Sequence, residues 1–206
     1  MRRLTLAAAL LLACTAQADD QVRSVSPFTS MNVQGAINVE VKAGAAQSLT
    51  VRGDDDFVNG LVSEVVNGEL RVHMRDKRFK TTRHEQRIIV TVPALQAFSA
   101  EGAGEIRLDN IRGERFDVDY RGAGSMRLAG EVRSFRMKAE GVGEVNAKAL
   151  VADKVDVRFK GIGDVQVHAR QELDAVVQGM GSLTYFGKPP VVNKSASGLG
   201  SVKAGN

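Results

Sequence analysis

The feature that most restricts the fold is one short word used six times. "EGAGEIRL" at residues 101–108 returns as "RGAGSMRL", "EGVGEVNA", "KGIGDVQV", "QGMGSLTY" and "SGLGSVKA". The first glycines of the six copies are Gly102, Gly122, Gly141, Gly161, Gly179 and Gly198, in steps of 20, 19, 20, 18 and 19 residues. A near-constant period of this size marks an array in which each copy completes the core of its neighbour. Before each glycine pair, apolar and polar residues alternate, as in Phe116, Val118, Tyr120 and Phe135, Met137, Ala139. After it a second alternating pair follows, as in Met126 and Leu128 or Val165 and Val167. A period of two is that of a half-buried strand. At ~3.3 Å per residue, one copy accommodates two strands, the glycine segment and a short third side. That third side carries one apolar residue, such as Ile111, Val132 or Leu150.

The residue between the glycines is apolar every time: Ala103, Ala123, Val142, Ile162, Met180 and Leu199. If it points inward with its apolar neighbours it breaks the alternation, and the backbone must bend at the flanking glycines, which lack the Cβ that resists such geometry. The glycines expected at structural corners are therefore Gly35, Gly102, Gly104, Gly122, Gly124, Gly141 and Gly143, and further along Gly161, Gly163, Gly179, Gly181, Gly198 and Gly200. A nucleotide loop is not expected. It would need a third glycine in register, a following Lys-Ser/Thr and a helix opening after the strand, none of which is present. No cofactor is called for. The expected fold is all-β, a parallel β-helix-like solenoid of about seven coils, with a flat antiparallel meander as the alternative. Parallel stacking is favoured by the residues just before the first glycines, Glu101, Arg121, Glu140 and Lys160, whose alternating signs would face one another on successive coils.

The N-terminus sets an address. "MRRLTLAAALLLACTAQADD" has a basic start, an apolar run and the small-x-small end Ala16-Gln17-Ala18, the layout of a secretory signal peptide over residues 1–18. Export follows, to the periplasm or beyond. "LLAC" at residues 11–14 also reads as a lipobox, so lipidation at Cys14 and an outer-membrane lipoprotein form the alternative processing. With Cys14 removed no cysteine is left, which excludes disulfides and thiol chemistry from the 19–206 domain. No later stretch has the ~18 apolar residues of a spanning helix, so membrane attachment would be through lipid. The chain carries 28 Lys and Arg against 24 Asp and Glu. Loss of Arg2 and Arg3 leaves the mature protein nearly neutral.

The spacing between Gly35 and Gly102 leaves an insertion over residues 42–93. Leu49 to Arg52 reads as a strand, "DDDFVNGLV" as a helical turn opened by Asp, and "SEVVNGELRVHM" as two strands joined at Asn67-Gly68, a strong hairpin signal. A basic segment follows before the strand "IIVTVP". Arg71, Arg75, Lys77, Arg78, Lys80, Arg83 and Arg87 face only Asp76 and Glu85, and they are the candidate contacts for a polyanion. Phe79 is the one aromatic there, too little for stacking on nucleic-acid bases.

"VQGAINVEV" at residues 33–41 follows the plan of the later words, with Ile37-Asn38 replacing the second glycine and its polar follower. It resembles the Gly-Ile-Asn signature of the bacterial auto-transporter adhesin head domain, the GIN domain family, with one residue more in the motif. "LTVRGDDDFVNGLVSEVVNGELRVHM" and "RIIVTVPALQAFSAEGAGEI" are similar to that family's middle segment, and the likeness runs from about Ser26 to the C-terminus. It implies a right-handed β-helix-like head in an envelope protein.

Catalytic groups are sparse. His73, His84 and His168 lack metal-ligand spacing, and no Gly-x-Ser-x-Gly elbow occurs. Glu105, Glu144 and Asp164 share an outward column with Ser125, the one place where a pectinase-like enzyme could assemble carboxylates. The aromatics fall at inward positions, which removes the flat apolar faces of a lectin. The leading expectation is a non-enzymatic structural or adhesin-like binding module for an envelope component or surface polymer. A polysaccharide-active enzyme and a polyanion binder acting through residues 71–87 are the alternatives.

Overall fold

The computed structural model of the chain describes residues 19–75 and 86–206. Expected signal-peptide cleavage after Ala18, and Cys14, lie outside the described residues. The strands are β1 (Asp19–Arg23), β2 (Ser30–Gln34), β3 (Asn38–Ala43), β4 (Ser48–Gly53), β5 (Leu61–Val66), β6 (Glu69–Met74), β7 (Arg87–Val92), β8 (Ala97–Phe186), β9 (Val191–Gly198) and β10 (Ser201–Ala204). Helix α1 (Asp55–Gly60) lies between β4 and β5. The fold is all-β.

β8 is extended through 90 residues yet lies on itself. Gly122 abuts the backbone of Gly102, Gly141 that of Gly122, Gly161 that of Gly141 and Gly179 that of Gly161. Each copy of the repeated word thus forms a rung resting on the rung before it. The last rung is β9 and β10, paired parallel with β8 through Gly179↔Gly198 and Ser182↔Ser201. The first is β2 and β3, paired parallel with β8 through Gln34↔Glu101 and Val39↔Ile106. These pairings set aside the antiparallel meander for the repeats. Among the described residues antiparallel pairs join β1 to β4, β4 to β7 and β5 to β6, so the sheet as a whole is mixed.

The insertion builds on the far side of the first rung. β6 pairs parallel with β2 through Asn32↔Arg71, and β7 with β3 through Val41↔Val90. The β5–β6 hairpin turns at Asn67 (φ 52°) and Gly68 (φ 76°), the two successive positive φ angles that a type I′ turn requires. The Asp54 carboxylate caps α1 by accepting the Phe57 N–H at 2.8 Å, which satisfies one of the donors left open at a helix start. The helix buries Phe57 and Val58. The Arg23 guanidinium donates to the carbonyls of Val58 (2.5 Å) and Leu61 (2.7 Å), tying β1 to the end of the helix.

One apolar core runs from Phe28 to Leu183. Ile111, Val132 and Leu150 are buried as the third-side residues. Phe116 and Phe135 stack across successive rungs with centroids 6.2 Å apart. Burying such a side chain stabilises the fold by ~1.5–3 kcal/mol.

The glycine segment corrects the sequence expectation. Val142, Ile162, Met180 and Leu199 are exposed, as are Ala103 and Ala123. The alternation is not broken at all: Tyr120, Gly122, Gly124 and Met126 share one parity, and the glycines occupy inward positions. They do so because no side chain fits there. A Cβ on Gly161, whose φ is +152°, would overlap the carbonyl oxygen of Gly141 and lie 2.8 Å from its carbon. The backbone of one rung sits where a side chain would stand.

The rung of β9 and β10 differs from those before it in one inward residue. Lys194 takes the row of buried Ala175 on the preceding rung, and its ammonium donates to the Val202 carbonyl at 3.4 Å. A charge therefore stands at one inward position of this rung, between Val192 and Ala196.

Candidate functional site

In-register rungs turn each outward position into a row. Along the strand before the glycines, charges pair mainly two residues apart: Arg121 with Asp119 (3.7 Å), Lys138 with Glu140 (3.2 Å) and Arg158 with Asp156 (3.7 Å). Rung-to-rung pairs add Arg136–Asp156 (3.4 Å) and Lys154–Glu172 (2.8 Å). The alternating column expected from Glu101, Arg121, Glu140 and Lys160 acts at longer range. The Lys138 ammonium beside Glu140 holds its carboxyl below the usual range, and Arg121 and Lys160 contribute in the same direction. Exposed pairs of this kind each add ~0–1 kcal/mol, so this face is a charge-balanced surface more than a source of stability.

The strand after the glycines carries the carboxylate row. Gly163 rests on Gly143, so Glu144 and Asp164 fall on successive rungs. Asp164 accepts a hydrogen bond from the Ser182 hydroxyl of the next rung, which engages that carboxylate in the stack. At the first rung the Asn38 side-chain oxygen accepts the Glu105 N–H at 2.9 Å. Among the described residues no group of three or more His, Cys, Asp and Glu is placed to hold a metal ion.

Between the two strands runs the feature that the sequence expectation turned the wrong way. Ala103, Ala123, Val142, Ile162, Met180 and Leu199 form one outward row, flanked on both sides by bare glycine backbone. Their size grows along the stack, and the last four are 53%, 45%, 55% and 84% exposed. The signal that could have placed them was parity, since each lies an odd number of residues from its buried neighbours.

The described ends of the basic segment lie on two strands. Arg71 on β6 belongs to the β2 stack and is paired with Glu69 at 2.9 Å. Arg87 on β7 belongs to the β3 stack and is paired with Glu40 at 3.2 Å. The Arg75 N–H donates to the Gly60 carbonyl at 2.9 Å. Lys77, Arg78, Lys80 and Arg83 lie outside the described residues. Of the glycines expected at corners, Gly181 and Gly200 lack the positive φ of the others. A Cβ on Gly181 would enter the Phe159 ring, so space rather than backbone conformation requires glycine there.

Stacked parallel rungs with ladders of repeated outward groups define a β-protein that presents extended faces. The chain belongs to the family described as "Putative auto-transporter adhesin, head GIN domain", whose model matches residues 27–189. In solved structures the same fold occurs in a putative adhesin from Bacteroides fragilis, 22% identical with a TM-score of 0.74, over 92% of this chain and 98% of that one. It also occurs in a putative adhesin from Parabacteroides distasonis, 16% identical with a TM-score of 0.57, over 92% and 97% of the two chains. No curated protein matches the chain. Among the described residues no helix is long and apolar enough to cross a membrane.

Proposed function

We propose that the chain is an exported cell-envelope β-solenoid, right-handed as the family resemblance implies, that acts as a non-enzymatic adhesin-like binding module. Its ligand, an envelope component or surface polymer, lies across a strand face. The observation that carries this is the register. Parallel in-line pairing sets like outward positions at the ~4.8 Å strand spacing, so each face is a regular ladder suited to an extended partner. Family membership supports the surface role and the exported address. The engagement of Asp164 by Ser182 favours a structural use of the carboxylate row over a catalytic one. Titration of the protein with a panel of envelope polysaccharides tests both readings. Binding without turnover is expected, and substitution at Glu144 or Asp164 should change affinity at most several-fold. Polysaccharide cleavage that disappears in Glu144→Gln or Asp164→Asn would replace the module with an enzyme.

A further inference from the structure

We propose that the apolar row Val142, Ile162, Met180 and Leu199 is the contact surface for a second copy of this chain, joined about a two-fold axis with the two rows antiparallel. Isolated exposed apolar residues are normal on protein surfaces. This row is different because every rung repeats it, its four large members are contiguous, and each remains 45% or more exposed. At the ~4.8 Å rung spacing the four side chains span about 14 Å.

The flanking residues select the partner and the register. With the axis midway between Ile162 and Met180, Val142 faces Leu199 of the second copy and Ile162 faces its Met180. On the side after the glycines, Glu144 then meets Ser201 and Asp164 meets Ser182. On the side before them, Glu140 meets Ser197 and Lys160 meets Gln178. Every charged flank faces a neutral hydrogen-bonding group, so no like charges are brought together. Moving the axis onto Ile162 sets Asp164 against Asp164 and Lys160 against Lys160. Centring it on Met180 leaves Val142 without a partner. Parallel rows set Lys160 against Asp164 but also Glu140 against Glu144. Like charges held across an interface are strongly unfavourable, so the flanks favour the antiparallel register, which uses all four rungs and opposes no like charges. The row is narrow compared with the ~800 Å² that each partner of a standard interface buries. The association is therefore weak and concentration-dependent.

The test uses the chain with Cys14→Ser, so that the only thiols are those introduced. In Val142→Cys/Leu199→Cys the two thiols lie three rungs apart within one chain, beyond the ~7 Å Cα limit of a disulfide, but face one another between copies. Mild oxidation of this variant is expected to give a disulfide-linked dimer, and oxidation of Val142→Cys alone is not. Sedimentation over a concentration series should show monomer–dimer exchange, weakened at least tenfold by Ile162→Glu/Met180→Glu. The melting temperature of that variant, measured on dilute monomer, should stay near wild type, which separates loss of association from loss of folding. A wild-type protein that is monomeric at every concentration would overturn the proposal. Ready dimer formation by Val142→Cys alone would overturn the antiparallel register, and binding of monomers to lipid vesicles through the row would replace the second copy with a membrane surface.

Discussion

Gly113→Ala and Gly161→Ala form a matched pair that measures what the stacked backbone requires of its glycines. Both positions have φ near +150°, so both substitutions pay the same conformational penalty, ~1–3 kcal/mol for a residue with a Cβ. Their surroundings differ. A Cβ on Gly113 meets no atom within 4 Å, whereas one on Gly161 overlaps the Gly141 carbonyl oxygen and lies 2.8 and 3.0 Å from its carbon and nitrogen. Ordinary contact needs about 3.4 Å or more, so two rungs must part locally and weaken their ladder hydrogen bonds, each worth ~1 kcal/mol net. With two or three such bonds affected and core packing disturbed, Gly161→Ala should cost a further ~2–4 kcal/mol. At ~2–4 °C per kcal/mol for a domain of this size, that is an additional fall of ~5–15 °C in melting temperature. Calorimetry or circular dichroism of the two variants beside wild type reads the difference directly. Equal melting temperatures for the two alanine variants would refute the argument that rung-to-rung contact, rather than φ alone, demands glycine.

Val142→Asp should alter stability by less than about 1 kcal/mol because its side chain is outward, while Leu183→Asp, at a fully buried position, should abolish the folded state, both read by thermal melts. Tyr120→Phe should stabilise the protein by up to ~1 kcal/mol, since the buried Tyr120 hydroxyl has no hydrogen-bond partner among the described residues. Burial raises the Tyr120 pKa above its ordinary value of 10.0, so stability does not depend on its ionisation below that pH and falls as pH rises from there through the folded value. Alkaline titration of stability should accordingly lose a step in Tyr120→Phe. Affinity for an anionic polymer, if carried by the basic segment, should fall with salt and fall further when Arg75, Lys77, Arg78 and Lys80 are neutralised together, because exposed charges are screened beyond ~10 Å at 0.1 M. Unchanged binding by that variant would remove the segment from recognition.

Much of the architecture was written in period and punctuation. The steps of 18–20 residues foretold rungs, and Asp54 and Asn67-Gly68 marked the helix and hairpin of the insertion. The orientation of the glycine segment was lost because hydrophobicity was taken as burial at Val142, Ile162, Met180 and Leu199. Strict counting from Ala139 or Phe159 would have put the glycines inward and those residues outward. Counting alone could not have supplied the reason, which is the carbonyl of the preceding rung in the space a Cβ would need. Arg71 and Arg87 bound one basic segment in the sequence. The fold sets them on β6 and β7, which pair with β2 and β3, each beside its own acidic partner, and the sequence spacing could not show that. For the proposed contact row the useful signal was the change from Ala103 and Ala123 to larger apolar residues at Val142, Ile162, Met180 and Leu199, which the repeat register brings into one line.

Lys194 places a charge in the outer edge of the β9 rung, much as a chain stopper is placed in a polymer. Every interior rung is at once template and product, with a parallel edge ready to accept the next. With an apolar residue in place of Lys194, this edge would be freer to let another molecule continue the ladder, the route by which exposed strands seed fibrils. An ammonium at one of its inward positions, donating to the Val202 carbonyl, would have to be stripped of water and sealed inside before growth could proceed. The same edge that gives the protein its regularity is thus kept from running on.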